Sequence, residues 1–189
     1  MNLARSLSLI ALSAFALGAA AQSPNDAQIA AIVVTANQVD IDAGKLAESK
    51  STSKDVQAFG KMMVTDHTGV NKSATDLAAR LKLTPEDNPT AQSLKKGGTD
   101  NVAQLKSLSG AAFDKAYVDH EVAYHQQVID ALDKTLIPNA SNAELKALLV
   151  KVRPAFVAHL EHAKGLQAAL QKKAAAAPAH HASLASGPQ

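Results

Sequence analysis

The sequence predicts an all-α protein, a bundle of four long helices with a long, partly helical crossover between helices 2 and 3. Composition and patterning both support this. Hydrophobic residues make up 47% of the 189 residues and aromatic residues 3%, with 9 glycines and 7 prolines. That apolar fraction is too high for a disordered chain, and the scarcity of turn residues disfavours a fold of many short strands. Apolar positions recur at spacings of three and four, as a helical bundle requires.

Two helices are predicted in the first half of the chain. Ser23 to Asp26 read as a capping box with proline at the first helical position, so helix 1 is predicted to begin near 24. Residues 51–53 interrupt its apolar stripe, and Thr52 with Asp55 is predicted to cap helix 2. The stripe of helix 2 runs Val56, Phe59, Met63, His67, Val70, Ala74, Leu77 and Leu81.

The second half of the chain predicts a crossover and two further helices. Residues 83–110 carry Pro85, Pro89, the pair Gly97 and Gly98, and Gly110, and they are interpreted as a crossover with short helical pieces around 90–108. Helix 3 is predicted over 111–136 and ends before Pro138. Ser141 and Glu144 are predicted to form a capping box for helix 4.

The two ends of the chain predict segments outside the bundle. Arg5 precedes an apolar run, Leu7 to Leu17, that is too short to span a bilayer, and Ala19 to Ala21 supplies a cleavage site. Residues 1–21 are therefore predicted to be a signal peptide cleaved after Ala21, which indicates a periplasmic protein. Residues 22–173 form the predicted bundle. Residues 174–189 form a predicted disordered tail containing His180 and His181, a pair whose role the sequence leaves open.

Charge and cysteine content exclude several classes of protein. The chain has no cysteine, which excludes disulfides, thiolate ligands, a thiol nucleophile and a lipoprotein anchor. Its formal net charge is +2 and its basic residues are spread along the chain, so no nucleic-acid partner is predicted. No transmembrane segment is expected in the mature chain. A protein partner or a homo-oligomer stays open.

Four polar residues occupy seam positions where aliphatic side chains are expected. Asp40, His67, His125 and His159 each lie near the middle of a different predicted helix. If helices 2 and 3 run parallel, the four lie roughly 17 to 24 Å from one end of the bundle, at 1.5 Å per residue. Burying such groups in one layer is costly unless they satisfy one another or an ion. A divalent transition metal site is therefore predicted, because imidazole and carboxylate are ordinary ligands for zinc, iron, copper or manganese.

Further polar residues lie one helical turn from this set. Glu121 precedes His125 by four residues and His162 follows His159 by three, so both are second-tier candidate ligands. Asp66, next to His67, points about 100° away on its helix and is expected to pair with a neighbouring helix or face solvent.

An alternative interpretation involves no metal. Asp40 would orient one imidazole, and the other rings would bond to tyrosine, threonine or water. The protein would then be a structural or interaction bundle of the envelope. A hydrolase is disfavoured because no G-x-S-x-G elbow is present.

The same residues carry a resemblance to a known family. The run F-G-K-M-M-V-T-D-H, Phe59 to His67, is similar to the F-A-x-x-M-x-x-D-H motif of a bacterial envelope family, domain of unknown function 4142, in the ferritin-like superfamily. Its late P-x-x-x-x-H element resembles Pro154 and His159. Two further elements have matches in this chain. The family's G-x-x-F-D-x-x-Y element and the histidine that follows it are similar to Gly110, Phe113, Asp114, Tyr117 and His125. Its E-x-x-x-G-x-x-A element is similar to Asp40, Gly44 and Ala47, with aspartate in place of the glutamate.

The resemblance covers residues 25–170 and implies a ferritin-like bundle, with no activity assigned to the family. Di-iron members of the superfamily use Glu-x-x-His pairs, and here Val64 and Phe156 occupy the glutamate positions before His67 and His159. A single ion with histidine-rich ligation therefore fits better than a di-iron oxidase or an iron store. The function class expected is metal binding with a stress- or redox-related role.

Overall fold

The computed structural model describes residues 23–176, and these are helical apart from short connections. No strand occurs within this range. The helices are α1 (Asp26–Lys50), α2 (Lys54–Arg80), α3 (Pro89–Ser107), α4 (Gly110–Ala131), α5 (Ile137–Asn139) and α6 (Ala143–Ala176), with a π-helical turn at Leu132–Leu136 between α4 and α5. The all-α prediction is confirmed. The predicted signal peptide and the His180–His181 pair lie outside the described residues.

Helices α1 and α2 form a closely packed antiparallel pair. A Cβ at Gly44 would lie 2.8 Å from the carbonyl oxygen of Gly60, and a Cβ at Gly60 would lie 2.8 Å from that of Gly44. Both positions therefore need glycine, since the obstacle on each side is backbone. The N-cap of α1 is Asn25, whose side chain accepts from Gln28 N, and that of α2 is Ser53. The predictions of a start near 24 and of a Thr52 cap were wrong by one or two residues, because several adjacent residues are competent caps.

The crossover is a single helix, which corrects the prediction of short helical pieces. Asn88 caps α3 and Pro89 occupies its first turn, where the missing N–H costs nothing. Gly98, which suggested a break, instead permits close packing on α1, since a Cβ there would lie 2.6 Å from Val39 Cγ2. Lys50, the last residue of α1, donates from Nζ to Leu105 O at 3.2 Å near the end of α3. Helix α3 therefore runs parallel to α1.

Helix α4 begins at the end of the molecule where α1 ends and α2 begins. Ser51 Oγ donates to the buried Asp114 Oδ1 at 2.5 Å, which joins the α1–α2 connection to the first turn of α4. Helices α2 and α4 therefore run parallel, which is the orientation assumed for predicted helices 2 and 3. The α-helix ends at Ala131 rather than at 136, and the π-helical turn continues it. Pro138 lies inside the short α5 instead of ending the segment.

Helix α6 returns antiparallel to α4. Its first N–H groups are capped by Asn142, whose Oδ1 accepts from Glu144 N at 2.9 Å, so the predicted Ser141 cap is wrong by one residue. At the same place Asp26 accepts from Ser141 N at 2.8 Å and from Asn142 N at 3.0 Å, which ties the start of α1 to the start of α6. The helix continues through Pro154 to Ala176, so the first three residues of the predicted tail are helical.

The interior consists of two apolar clusters with polar residues between them. One cluster includes Ile29, Leu132 and Leu149, towards the start of α1. The other includes Phe59, Met63 and Phe113, towards the end of α1. None of the helices between residues 23 and 176 combines the length and the apolar character needed to cross a membrane.

Candidate metal centre

The structure brings the three predicted histidines into mutual contact between the two apolar clusters. The ring centroids of His67 and His125 lie 5.6 Å apart, those of His67 and His159 5.2 Å, and those of His125 and His159 5.4 Å. One ring nitrogen from each lies within 4.8 Å of those of the other two. An ion about 2.0–2.1 Å from three nitrogens in tetrahedral geometry would hold them about 3.3 Å apart. The three nitrogens would therefore have to move closer together to hold an ion.

Two carboxylates adjoin the histidines. Asp40 on α1 and Glu121 on α4 each place an oxygen within 4.8 Å of a His125 nitrogen and of each other. Glu121 is fully buried, so this second-tier candidate is part of the core arrangement. We call Asp40, His67, Glu121, His125 and His159 the polar layer. Its members come from four helices, and His125 belongs to both the imidazole group and the carboxylate group.

The orientation of His67 is set by α1. Asn37 donates from Nδ2 to Val33 O at 2.9 Å, which turns its Oδ1 towards the ring, and His67 Nδ1 lies 2.7 Å from that oxygen. Because the amide oxygen can only accept, Nδ1 carries the proton. The other nitrogen, Nε2, then has a free lone pair, which is the form that binds a metal.

The rings of His125 and His159 are also oriented by a hydrogen bond from one nitrogen to an oxygen. His125 Nδ1 lies 3.1 Å from Glu121 O, a carbonyl that can only accept, so this nitrogen is the donor. His159 Nε2 lies 3.0 Å from Asp66 Oδ2 on α2 and donates to it. Metal-binding histidines almost always donate their second nitrogen in this way, to a carboxylate or a carbonyl. Asp66 thus pairs with a neighbouring helix, as the sequence indicated.

Each ring consequently has one nitrogen committed and one free. Among the buried side-chain atoms of residues 23–176 that find no hydrogen-bond partner, six belong to the polar layer: Asp40 Oδ1, His67 Nε2, Glu121 Oε1 and Oε2, His125 Nε2 and His159 Nδ1. Leaving such atoms unsatisfied in the interior costs about 1–3 kcal/mol each. A cation bound by the three ring nitrogens and one carboxylate oxygen would satisfy four of them.

Burial keeps two of the imidazoles neutral. It lowers the pKa of His67 from 6.5 to about 2, and the neighbouring His125 and His159 act in the same direction. Burial also lowers the pKa of His159, against the opposing effect of Asp66. Neutral imidazole is the ligand form, so these rings need not lose a proton before they bind an ion.

His125 and Asp40 share a proton. Burial alone would lower the pKa of His125, but Asp40 and Glu121 outweigh it and raise this pKa to about 9. Burial raises the pKa of Asp40 well above its usual value, and His125 opposes that rise. The group therefore holds a proton at neutral pH, on the imidazole or on the carboxyl. A divalent cation would displace that proton.

The surroundings of the polar layer are aromatic and aliphatic. Phe156 stacks on His67 with ring centroids 5.2 Å apart. A narrow apolar cavity, lined by Leu132, Leu136 and Leu149 among others, reaches Asp40, His67 and His125. Tyr124 donates to Ala36 O at 3.1 Å rather than to the layer. This largely apolar environment strengthens the electrostatic interactions within the layer.

Two histidines near the layer are not part of it. His162 is exposed, and its ring packs against Phe59 at a centroid distance of 5.1 Å. The structure thus does not bring this second-tier candidate into the site. His120 stacks on Tyr124. Conversely, sequence reasoning missed Asn37, although it precedes Asp40 by three residues and so shares its helix face.

Comparison with known protein families identifies one that matches most of the chain. The sequence model of the family described as a domain of unknown function, DUF4142, matches residues 12–166. The chain belongs to this family. The matched range contains every residue of the polar layer together with Asn37 and Asp66, so the DUF4142 region and the candidate centre coincide. Searches of curated proteins and of solved structures found no match.

Proposed function

We propose that this DUF4142 protein is an exported bundle that binds one divalent transition metal ion in its core. The ligands are the free nitrogens of His67, His125 and His159, completed by a carboxylate of Asp40 or Glu121. The observation that carries the proposal is the orientation of the rings. Each donates its other nitrogen to a fixed oxygen, and one nitrogen of each lies within 4.8 Å of the others.

The chemistry of the donors defines the class of ion. Imidazole and carboxylate suit zinc, iron, copper and manganese, and the chain offers no cysteine for a softer site. Calcium and magnesium prefer sites made of oxygen alone. A set dominated by three nitrogens therefore favours a transition metal.

The connectivity supports a ferritin-like arrangement. Helices α2 and α4 run parallel and are joined by the long crossover that contains α3, while α1 with α2 and α4 with α6 form antiparallel pairs. Bundles with one such crossover place their metal ligands on the facing sides of four helices. Here α1, α2, α4 and α6 each supply at least one member of the polar layer.

Metal content is the direct test of binding. The full-length protein, purified without an added histidine tag and exposed to zinc, copper, iron or manganese, is expected to retain about one ion per chain by elemental analysis. The double substitution His67→Leu with His159→Leu should abolish retention. His162→Ala, next to the site but exposed, and His180→Ala with His181→Ala should leave it unchanged.

Two outcomes would refute metal binding in the polar layer. One is a wild-type content below a tenth of an ion per chain with no shift in melting temperature for any of the four metals, which would favour the metal-free structural or interaction bundle. The other is equal retention by the His67→Leu, His159→Leu variant, which would place the ion outside the polar layer.

Export is tested separately. The run Leu7 to Leu17 followed by Ala19 to Ala21 supports cleavage after Ala21. In a bacterial host, the intact mass of the periplasmic protein is expected to correspond to a chain that begins at Gln22. A full-length mass in the cytoplasmic fraction would contradict export and leave the metal proposal standing.

A further inference from the structure

Two side chains outside the polar layer, those of Asn37 and Asp66, hydrogen-bond to its histidines, and of these Asp66 is exposed to solvent. The five layer residues are at most 4% exposed, and Asn37, which bonds to His67, is 2% exposed. Asp66, which accepts from His159 Nε2, has 45% of its side chain exposed. The second oxygen of Asp66 thus lies at the surface while the first holds a ring whose free nitrogen belongs to the layer.

We propose that the ion approaches the core along the seam between α2 and α6, with the Asp66 carboxylate as the group that attracts it there and that holds the His159 ring with its free nitrogen in the layer. This inference rests on the proposed metal-binding function. It adds a route and an outer residue that is not itself a member of the polar layer.

Several other faces of the bundle are joined by close contacts. Helices α1 and α2 touch backbone to backbone at Gly44 and Gly60. Helix α3 covers the outer face of α1, with Gly98 pressed against Val39. Tyr124 bridges α4 and α1 through its bond to Ala36 O. Between α2 and α6 the described side chains make two polar contacts, Asp66 with His159 and the exposed pair Arg80 with Glu144, and only the first of these reaches the polar layer.

The position of Asp66 in the sequence explains this arrangement. Adjacent residues on a helix point about 100° apart. His67 therefore faces the interior while Asp66 faces the seam, where it meets α6 at the level of the layer. A carboxylate at this point attracts cations from solution, and the attraction weakens as salt screens it.

The test measures the rate of Co²⁺ uptake by the metal-free full-length protein, followed by its visible absorbance in a stopped-flow instrument. Asp66→Asn keeps an oxygen for His159 Nε2–H but removes the charge, so association should be about three- to tenfold slower at low salt. That difference should shrink as salt is added. Asp66→Ala removes the acceptor as well, and its affinity for Co²⁺ should fall by about 10- to 100-fold.

Asp76→Asn is the matched control. Asp76 lies on the same helix, is 62% exposed and pairs with Lys72, so its loss should leave the association rate at the wild-type value. If Asp66→Asn takes up Co²⁺ at the wild-type rate while wild type binds one ion, the route is wrong and the metal site survives. If wild type takes up no Co²⁺, the proposed function itself fails.

Discussion

The polar layer and the apolar cluster beside it lie in the same interior, but they differ in how far their buried atoms find partners within the protein. Around Leu149, buried side chains such as Ile29 and Leu132 pack against one another and carry no polar atoms to satisfy. In the layer, six buried nitrogen or oxygen atoms find no hydrogen-bond partner within the described chain, and one of these, Glu121 Oε2, lies 3.4 Å from His125 Nδ1. The comparison teaches that the cluster stabilises the protein by itself, whereas the layer contains buried acceptors that a bound ion would satisfy.

The largest effect should follow from damage to the apolar cluster. Leu149 is fully buried, so Leu149→Ala is expected to lower the free energy of unfolding by about 2–5 kcal/mol through lost burial and a cavity. Urea denaturation monitored by circular dichroism measures this change. Metal stoichiometry should stay at the wild-type value at temperatures where the variant is folded. Loss of the ion in a folded variant would show that the two regions are coupled.

The second-largest effect on stability should come from binding of an ion in the polar layer. Zn²⁺ at a hundred times its Kd should raise the free energy of unfolding by about 2.7 kcal/mol, because it binds the folded state alone. Denaturation with and without the ion gives the difference. In the His67→Leu, His159→Leu variant the increase should vanish, and in His162→Ala it should remain. A stabilisation that persists in the double variant would place the bound ion elsewhere.

A smaller effect is expected from acid on the metal-free protein. The pKa of His67 falls from 6.5 to about 2 on folding, so below pH 6.5 the unfolded state binds a proton that the folded state excludes. Stability contributed by this group is present above pH 6.5 and is lost as pH falls, by about 1.4 kcal/mol per pH unit. Asp40, whose pKa burial raises, acts in the opposite direction at low pH.

Comparison with His67→Leu isolates the contribution of that imidazole. Denaturation curves of both proteins, recorded with a chelator between pH 6.5 and pH 4.5, should diverge as pH falls, with the wild type losing more stability. Parallel curves would mean that His67 is protonated in the folded protein and would contradict its neutral state.

The smallest effect should come from removing the imidazoles altogether. In the metal-free protein at pH 7, His67→Leu with His159→Leu is expected to leave the free energy of unfolding unchanged or to raise it by about 1 kcal/mol, since buried polar groups are often neutral or costly relative to apolar ones. Urea denaturation in the presence of a chelator measures it. A loss above about 2 kcal/mol would instead show that the layer is a self-sufficient network.

The sequence predicted the polar layer because helical periodicity converts directly into depth. Asp40, His67, His125 and His159 interrupt apolar stripes whose spacing fixes their face, and parallel α2 and α4 place them at one level. It ranked Glu121 and His162 equally, since each lies one turn from a core histidine. Packing separates them: Glu121 faces the interior, while His162 lies beyond the edge of the seam and is exposed.

Other features depended on contacts between distant residues. Gly98 is a helix breaker by propensity, yet α3 continues through it because α1 lies too close for a side chain. The cap residues were misplaced because Ser23 and Asn25, or Ser141 and Asn142, are equally suited until the tertiary structure selects one. The π-helical turn at Leu132–Leu136 leaves no signature in local composition.

The bonds from Asp26 to Ser141 and Asn142 have a consequence for synthesis of the chain. They span 115 and 116 positions, and His159 lies later still. A nascent polypeptide still on the ribosome lacks the last of the three rings until α6 has emerged. Helix α1 can therefore form its bonds to the start of α6, and the polar layer can assemble, only after most of the chain has been synthesised.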